Sequence, residues 1–264
     1  MSNLRIFISS AIFSFRAQFS WLNPSMWLTM KLVLSLSQMT FFVLVGSFAT
    51  AGRPDAISYI AIGNALQVVS WNTVFSVVNI TSHDKWDGTL PLLLATPANR
   101  LPIFIGRAMV HVFDGVLSVV LAFGFAAFLF NVNFADTNVL ALAVTVLLTA
   151  FTMAGYGLLI GGFSFFFRDP LISANIFTFV LLIFCGVNFP VQDLPPFIQP
   201  VSYAFPLTYG VSAAREAITG AALTQILPFL GQQLIVGVIS MMLGFVFFRT
   251  FENLARKTGR IEAV

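Results

Sequence analysis

Long apolar segments, separated by short stretches rich in polar residues, proline or glycine, make up most of this chain. They cover approximately residues 27–51, 56–80, 101–130, 139–167, 171–187 and 226–248. A helix that crosses the hydrocarbon core of a bilayer needs about 20 apolar residues. The pattern therefore predicts six transmembrane helices, of which the fifth, with about 17 residues, is at the lower limit of the required length.

Residues 3–22 have a different pattern, with apolar side chains at the spacing of a single helix face. Arg5 and Arg16 fall on the opposite side. Because a charged face cannot enter hydrocarbon, this segment is predicted to be an amphipathic helix that lies in the headgroup plane and ends before Pro24.

The second apolar segment is too polar to face lipid on every side. One part of it is therefore expected to face protein or a transport pathway. Aromatic residues of the first and fifth segments could line such a pathway, although most phenylalanines in helices of this kind face lipid or neighbouring helices. The candidate lining residues are Phe41, Phe42, Asn64, Gln67, Trp71, Phe177 and Phe184.

The third segment carries ionisable residues on one face. Arg107, His111 and Asp114 follow each other at helical spacing, with Ser118 one turn further. Ionisable residues inside a membrane are often functional, which favours a proton relay or a gate. The alternative is a local network in which His111 contacts Asp114 across one turn. Arg215 and Glu216, at the end of a later segment, are similarly interpreted as helix-end charges or as gate residues.

Residues 186–222 combine several prolines with an apolar composition. Proline-broken helices that enter the outer leaflet and return would explain both features, since irregular backbone at that depth must be covered by protein. The alternative is an ordinary extracellular loop, which would be expected to be more polar.

Composition excludes a soluble domain, because 58% of the 264 residues are apolar and 9% are charged. None of the three lysines follows a glycine, so the chain has no phosphate-binding loop and is not expected to hydrolyse ATP. A single cysteine and two histidines predict no metal site, and nothing in the composition indicates a nucleic-acid partner.

The charge distribution predicts the orientation. With the proposed spans, all but two of the 13 Lys and Arg residues fall on one side, and the exceptions are Arg53 and Arg215. The positive-inside rule then places both termini and the 83–100 loop in the cytoplasm.

Two stretches resemble a known family. The first is Lys85-Trp86-Asp87-Gly88-Thr89-Leu90, continued by Leu92-Leu-Leu-Ala-Thr-Pro97 and Arg100; the second is Cys185-Gly-Val-Asn-Phe-Pro-Val-Gln-Asp-Leu-Pro195, continued by Phe205-Pro-Leu-Thr-Tyr209 and Arg215. Both are similar to segments of type-2 ABC exporter permeases, and they look closer to the drug and antibiotic exporters than to the polysaccharide exporters. The order of segments agrees with this family along nearly the whole chain.

The resemblance implies a single all-α integral membrane domain over residues 1–264, with an interfacial elbow helix at 3–22, six transmembrane helices, a coupling helix within 83–100 and an extracellular re-entrant hairpin at 186–222. It also implies a bacterial inner-membrane location, two separate ABC ATPase subunits that hold ATP and Mg, and a second permease chain. An identical second chain is expected, and a different one is left open. The residues expected to contact the ATPase are Lys85, Trp86, Asp87, Gly88, Thr89, Leu90, Leu93 and Arg100.

The expected function is export of an amphipathic or hydrophobic compound, such as a drug, an antibiotic or a lipid-like molecule. Three alternatives remain open at this stage. The cargo could be a polysaccharide or lipid-linked glycan, the chain could be a proton-driven secondary exporter that uses Asp114 and His111, or it could be a structural subunit of a membrane complex without a pathway of its own.

Overall fold

The computed structural model describes residues 3–18, 23–86, 88, 100–164 and 169–258, and its regular secondary structure over these residues is helical. The α-helices are α1 (Asn3–Gln18), α2 (Pro24–Ala49), α3 (Pro54–Trp86), α4 (Arg100–Phe130), α5 (Val139–Ser164), α6 (Pro170–Phe184), α7 (Gln199–Ser202), α8 (Pro206–Ile218) and α9 (Leu223–Thr258). A 3₁₀ turn covers Val191–Asp193. The predicted all-α fold is confirmed.

Proline and glycine set several of the helix boundaries. Pro170 stands at the first position of α6, and the Asp169 carboxylate accepts a hydrogen bond from the Leu171 amide at 2.9 Å. Proline is tolerated there because the first amides of a helix have no intrahelical partner. Beyond the ends of α6 and α8, Gly186 and Gly220 adopt φ values of 71° and 92°, a conformation that glycine reaches without steric cost.

Within the described residues, five helices are long and apolar enough to cross a membrane, and they correspond to the first, second, third, fourth and sixth predicted spans. The fifth predicted span is α6, an apolar helix of 15 residues that stops at Phe184. The 33 residues of α3 extend over about 50 Å at 1.5 Å per residue, more than the thickness of a bilayer core.

Helix α3 occupies the centre of the molecule and contacts α2, α4, α5, α6 and α8. Leu66 and Val69 of α3 pack with Met153 of α5 and Leu181 of α6 in the main apolar core, and all four side chains are buried. Helix α2 lies at the periphery, where Phe48 and other apolar side chains are exposed, as expected for a surface that faces lipid.

Helices α5 and α9 approach each other closely through glycine. A Cβ at Gly244 would lie 2.6 Å from the Leu159 nitrogen, and one at Gly155 would lie 3.0 Å from the Gly237 carbonyl oxygen. Gly157, the start of the Gly157–Gly161 pair in the sequence, instead faces Val74 and Val77 of α3. The small residues of α5 therefore serve two helix–helix contacts.

The amphipathic segment at the N-terminus forms α1, which packs along α4. A Cβ at Gly106 of α4 would lie 2.5 Å from the Phe7 carbonyl oxygen, so the absence of a side chain permits the contact. Residues 19–22, the end of the predicted elbow helix, lie outside the described residues.

Between α6 and α9, the chain forms the 3₁₀ turn, α7 and α8 within the segment predicted to be a re-entrant hairpin. Leu207, Val211 and Ala214 of α8 belong to the main apolar core. The segment is thus helical and partly interior, and its entry into the outer leaflet stays a prediction.

Candidate functional site

A large cavity lies between α1, α2, α3, α4 and α6, with a volume of about 1140 Å³. Its lining comes from α1 (Ser10, Phe13, Ser14, Ala17), α2 (Trp27, Met30, Lys31, Leu34, Ser35, Ser37, Gln38, Phe41, Phe42), α3 (Gln67, Val68, Trp71, Asn72, Ser76, Asn79), α4 (Ile103, Arg107, His111, Asp114) and α6 (Thr178, Phe179, Leu182). Aromatic and aliphatic side chains alternate with amides and hydroxyls, so the cavity is amphipathic. A volume of this size can hold a drug-sized molecule.

Four of the candidate pathway residues, Phe41, Phe42, Gln67 and Trp71, line this cavity. Trp71 is half-buried, and its ring stacks on Phe75 with the ring centroids 4.8 Å apart. Helix α3 brings Gln67 and Trp71 to the cavity together because they are four residues apart and share one helix face.

The other three candidates lie outside the cavity lining. Phe177 packs against the main apolar core and meets Phe163 edge-on, and Phe184 is half-buried at the end of α6. Helix α6 presents Thr178, Phe179 and Leu182 to the cavity instead. The sequence pattern could not predict this rotation, because the three polar residues of α6, Ser173, Asn175 and Thr178, are spread around the helix instead of marking one face.

Asn64 is fully buried near the start of α3. Its side-chain amide donates to the Ile60 carbonyl oxygen at 2.9 Å and to the Asn188 side-chain oxygen at 2.8 Å. The contact joins α3 to the segment that follows α6, so Asn64 holds that segment against α3 and does not line the cavity.

An ion pair between Lys31 of α2 and Asp114 of α4 lies at the wall of the cavity, and the two side chains are 10% and 5% exposed. The Lys31 ammonium also donates to the Asn72 side-chain oxygen at 2.6 Å and to the Ser118 hydroxyl at 3.4 Å. Two uncharged acceptors therefore accompany the carboxylate, and a buried ion pair needs such additional hydrogen bonds.

This geometry corrects two expectations about charges. The position of Lys31 near the start of the first span predicts that its ammonium reaches the membrane surface, yet the side chain points inward to Asp114. The predicted partner of Asp114 within its own helix was His111, and the hydrogen-bonded partner is Lys31, 83 residues away in the sequence. The ion pair is favoured because it compensates both buried charges, whereas a neutral histidine would compensate neither.

His111 and Arg107 also line the cavity, one and two turns before Asp114. His111 is 8% exposed, and its Nδ1 atom has no hydrogen-bond partner among the described residues. Arg107 is engaged within the chain. The face of α4 predicted from the spacing therefore does converge on one cavity. Beside His111 and Arg107 lies a polar cluster that consists of Lys31, Asp114, Asn72 and Ser118. The sequence signal that could have identified Lys31 is a lysine within an apolar segment.

Arg215 joins the segment after α6 to α3 at some distance from this polar cluster. Its guanidinium donates to the carbonyl oxygens of Gly186 at 2.9 Å, Tyr59 at 3.0 Å and Val187 at 3.0 Å, and it lies 3.3 Å from the centre of the Tyr59 ring. Glu216 is exposed. The two neighbouring residues thus have different environments. The hydrogen bonds of Arg215 hold α8, α3 and the segment after α6 together, which is a structural role.

The predicted ATPase contacts lie mostly outside the described residues. The backbone of Lys85 and Trp86 forms the last turn of α3, and Arg100 begins α4. Gly88 is exposed with a φ of 66°, which favours glycine. Asp87, Thr89, Leu90 and Leu93 are not among the described residues.

Metal ligands were not expected from the sequence. Over the described ranges, no group of three or more His, Cys, Asp or Glu side chains comes together as the ligands of a metal ion would. The polar cluster consists instead of one lysine, one carboxylate, an amide and a hydroxyl. These groups can hydrogen-bond between helices or to a ligand.

Long apolar helices around an amphipathic cavity define a multi-pass membrane protein of the transport class. Residues 7–219 match the ABC-2 type transporter family, which covers most of the chain. The chain belongs to this family and is a membrane transport component.

Curated relatives agree with this assignment at low identity. The chain is 21% identical over 153 residues to YbhR, a probable multidrug ABC transporter permease of Escherichia coli (strain K12), and equally to the protein of that name in E. coli O157:H7. The aligned region covers 56% of this chain and 41% of each relative. The match thus spans less than half of these relatives' length.

Proposed function

We propose that this chain is the transmembrane permease subunit of an ATP-driven exporter that moves an amphipathic or hydrophobic compound out of the cytoplasm or the inner leaflet. A drug, an antibiotic or a lipid-like molecule would fit this class. The observation that carries the proposal is the 1140 Å³ cavity, with its mixture of aromatic, amide and hydroxyl groups. The multidrug description of the E. coli relatives supports the same class of cargo.

The cavity has the right chemistry for such a cargo. Phe41 and Trp71 offer ring surfaces to the apolar part of a molecule, while Gln38 and Ser76 offer hydrogen bonds to its polar part. Because α2 is peripheral and apolar on its outer face, a molecule dissolved in the inner leaflet would be able to reach the cavity past this helix.

Energy would come from separate subunits. The family membership supports ABC ATPase partners, and we infer that there are two of them and that they bind the ATP and Mg. In this proposal, the 83–100 loop contacts the ATPase, and ATP binding moves the loop and changes the opening of the cavity. A second permease chain, identical to the first, completes the transporter. In this proposal both termini lie on the cytoplasmic side of a bacterial inner membrane, an orientation that the positive-inside rule supports.

The runner-up cargo within this family is a polysaccharide or lipid-linked glycan. The rival from another class is a proton-driven exporter that uses Asp114 and His111. The ion pair counts against a proton relay built from Asp114 and His111, because the Asp114 carboxylate is held by the Lys31 ammonium and not by His111. Transport driven by a proton gradient in the absence of ATP would favour this rival.

Transport by reconstituted protein tests the cavity. The tagged chain is purified from its native membrane with its partners and reconstituted into vesicles, and ATP-dependent transport of candidate amphiphiles is measured. Phe41→Ala removes a ring at the cavity and should lower transport by about tenfold, the effect of losing a contact of about 1.4 kcal/mol. Phe48→Ala on the same helix removes a ring that is 86% exposed and outside the lining, and should leave transport unchanged.

Two results would contradict the proposal. One is the absence of a co-purifying ATPase from preparations that still transport. The other is an equal loss of transport in the Phe41 and Phe48 variants, because a cavity that binds cargo requires the two to differ.

A further inference from the structure

The charged groups at the cavity are already engaged within the protein. Among the described lining residues, the charged side chains are Lys31, Arg107 and Asp114. Lys31 neutralises Asp114, and its ammonium is directed at three acceptors, two of which are uncharged. Arg107 is engaged within the chain as well. A charged ligand would therefore meet no counter-ion here unless an existing contact were broken.

The cavity also has uncharged polar side chains, and these are available to a ligand in a way that the charged side chains are not. Ser37 and Gln38 of α2 and Ser76 of α3 line the cavity and are half-buried or exposed, and their side chains make no hydrogen bond to another of the described residues. They lie in the same cavity as the rings of Phe41 and Trp71. Amides and hydroxyls both donate and accept hydrogen bonds, so they match a head group that bears hydroxyls or amides without needing a charge.

We propose that the cavity selects amphiphiles whose polar part is uncharged and bears hydroxyls or amides, and that Lys31 is the specificity-determining residue. Lys31 occupies Asp114 with its own ammonium and thereby excludes organic cations. This inference rests on the proposed function, since it names the substrate class of the same cavity.

The energetics favour Lys31 over a dissolved cation. Lys31 is tethered beside Asp114, so its effective concentration there is in the millimolar range or above, and a competing amine must displace it. An amine that entered without displacing it would lose hydration in the presence of a like charge. A neutral head group faces neither cost.

The test measures binding next to a single tryptophan in lipid nanodiscs. Trp21, Trp27 and Trp86 are replaced by Phe, which leaves Trp71 as the reporter of the cavity. The probes are three amphiphiles with one identical brominated alkyl tail, which quenches tryptophan at short range, and a glucoside, primary ammonium or sulfate head. A control chain that carries Phe128→Trp and Trp71→Phe reports partition into lipid, because Phe128 is 88% exposed and outside the lining.

In the chain with Lys31 and Asp114 intact, the glucoside should quench Trp71 beyond the lipid control at concentrations at least tenfold below those needed for either charged probe. Lys31→Met leaves Asp114 uncompensated and should tighten binding of the ammonium probe at least tenfold. The double variant Lys31→Met with Asp114→Asn should lose this gain. Asp114→Asn alone frees the ammonium of Lys31 and should tighten binding of the sulfate probe.

Equal binding of the glucoside and the ammonium probe to the unaltered cavity would overturn the inference while leaving the proposed function intact. A folded Lys31→Met variant without a gain for the ammonium probe would overturn the role of Lys31. Quenching that never exceeds the lipid control, with any head group, would count against the cavity as a binding site and so against the proposed function too. If Lys31→Met does not fold, the sulfate gain in Asp114→Asn and the ranking of the three head groups decide the matter.

Discussion

At the scale of single residues, the ion pair of Lys31 and Asp114 has the largest expected effect on stability. Its two groups come from helices α2 and α4 and lie almost out of contact with solvent. Removing one partner leaves the other charge buried without compensation, which typically costs about 3–5 kcal/mol. Replacing both partners leaves an uncharged contact, and the stability of the protein then often changes little.

The corresponding prediction compares single and double variants. Lys31→Met and Asp114→Asn should each lower the temperature at which half of the detergent-solubilised protein remains monodisperse on size exclusion. The double variant should recover most of the loss. If the double variant were as unstable as the two single variants, the ion pair would not be the cause of their instability.

A second residue-scale feature is the close contact between α3 and the segment after α6. A Cβ at Gly63 would overlap the Val187 carbonyl oxygen and lie 2.8 Å from Arg215 Nη2. Both neighbouring groups are joined by a hydrogen bond. The contact therefore has little freedom to adjust.

Gly63→Ala should accordingly destabilise the protein by about 2 kcal/mol or more, as expected for overpacking. The same thermal measurement checks this. Gly124→Ala is the matched control, because position 124 is also helical but has open space around it, and alanine there should preserve or slightly raise stability. Similar losses at the two positions would rule out the steric explanation.

At the scale of elements, the contact between α5 and α9 depends on small residues. A Cβ at Gly244 would lie 2.6–2.7 Å from backbone atoms of Leu158 and Leu159. Backbone atoms cannot move aside as the end of a flexible side chain can. The two helices would have to separate to admit a methyl group.

Gly244→Ala should therefore weaken the packing of α9 and increase its susceptibility to limited proteolysis. Gly231→Ala is the control on the same helix, since position 231 has no neighbour within 4 Å. Faster cleavage only in the Gly244 variant is the expected outcome. Equal rates in both variants would contradict the proposed dependence on close backbone approach.

The helix boundaries were largely predictable from sequence because proline, glycine and polar residues interrupt the apolar segments at those points. Pro24, Pro54 and Pro170 each begin a helix. The rotation of each helix was less predictable. The cavity face of α6 and the partner of Gly157 depend on neighbouring helices, and the few polar residues of these two helices do not indicate which face meets which neighbour.

At the scale of the whole molecule, the proposed function requires that events at the ATPase reach the cavity. Helices α3 and α4 connect the two regions directly, because the 83–100 loop joins them and both line the cavity. A disturbance of the loop should therefore act on coupling rather than on folding.

Trp86→Ala combined with Leu93→Ala should lower the amount transported per ATP hydrolysed by about tenfold, since a dominant interface residue contributes at least 1.4 kcal/mol. ATP hydrolysis and transport are measured in the same vesicles. Phe197→Ala, an exposed residue after α6, is the control and should leave the ratio unchanged. Unchanged coupling in the loop variant would refute the assignment of this loop.

The sequence by itself determined the all-α membrane fold, the positions of the long helices and the family, because length, apolar content and local motifs are properties of contiguous residues. The sequence did not predict the partner of Asp114, which is Lys31 on another helix and not His111 on the same helix. Only the tertiary structure decided this partner and the residues that line the cavity. A buried charge selects whichever counter-charge folding brings close, and that choice depends on residues far apart in the chain.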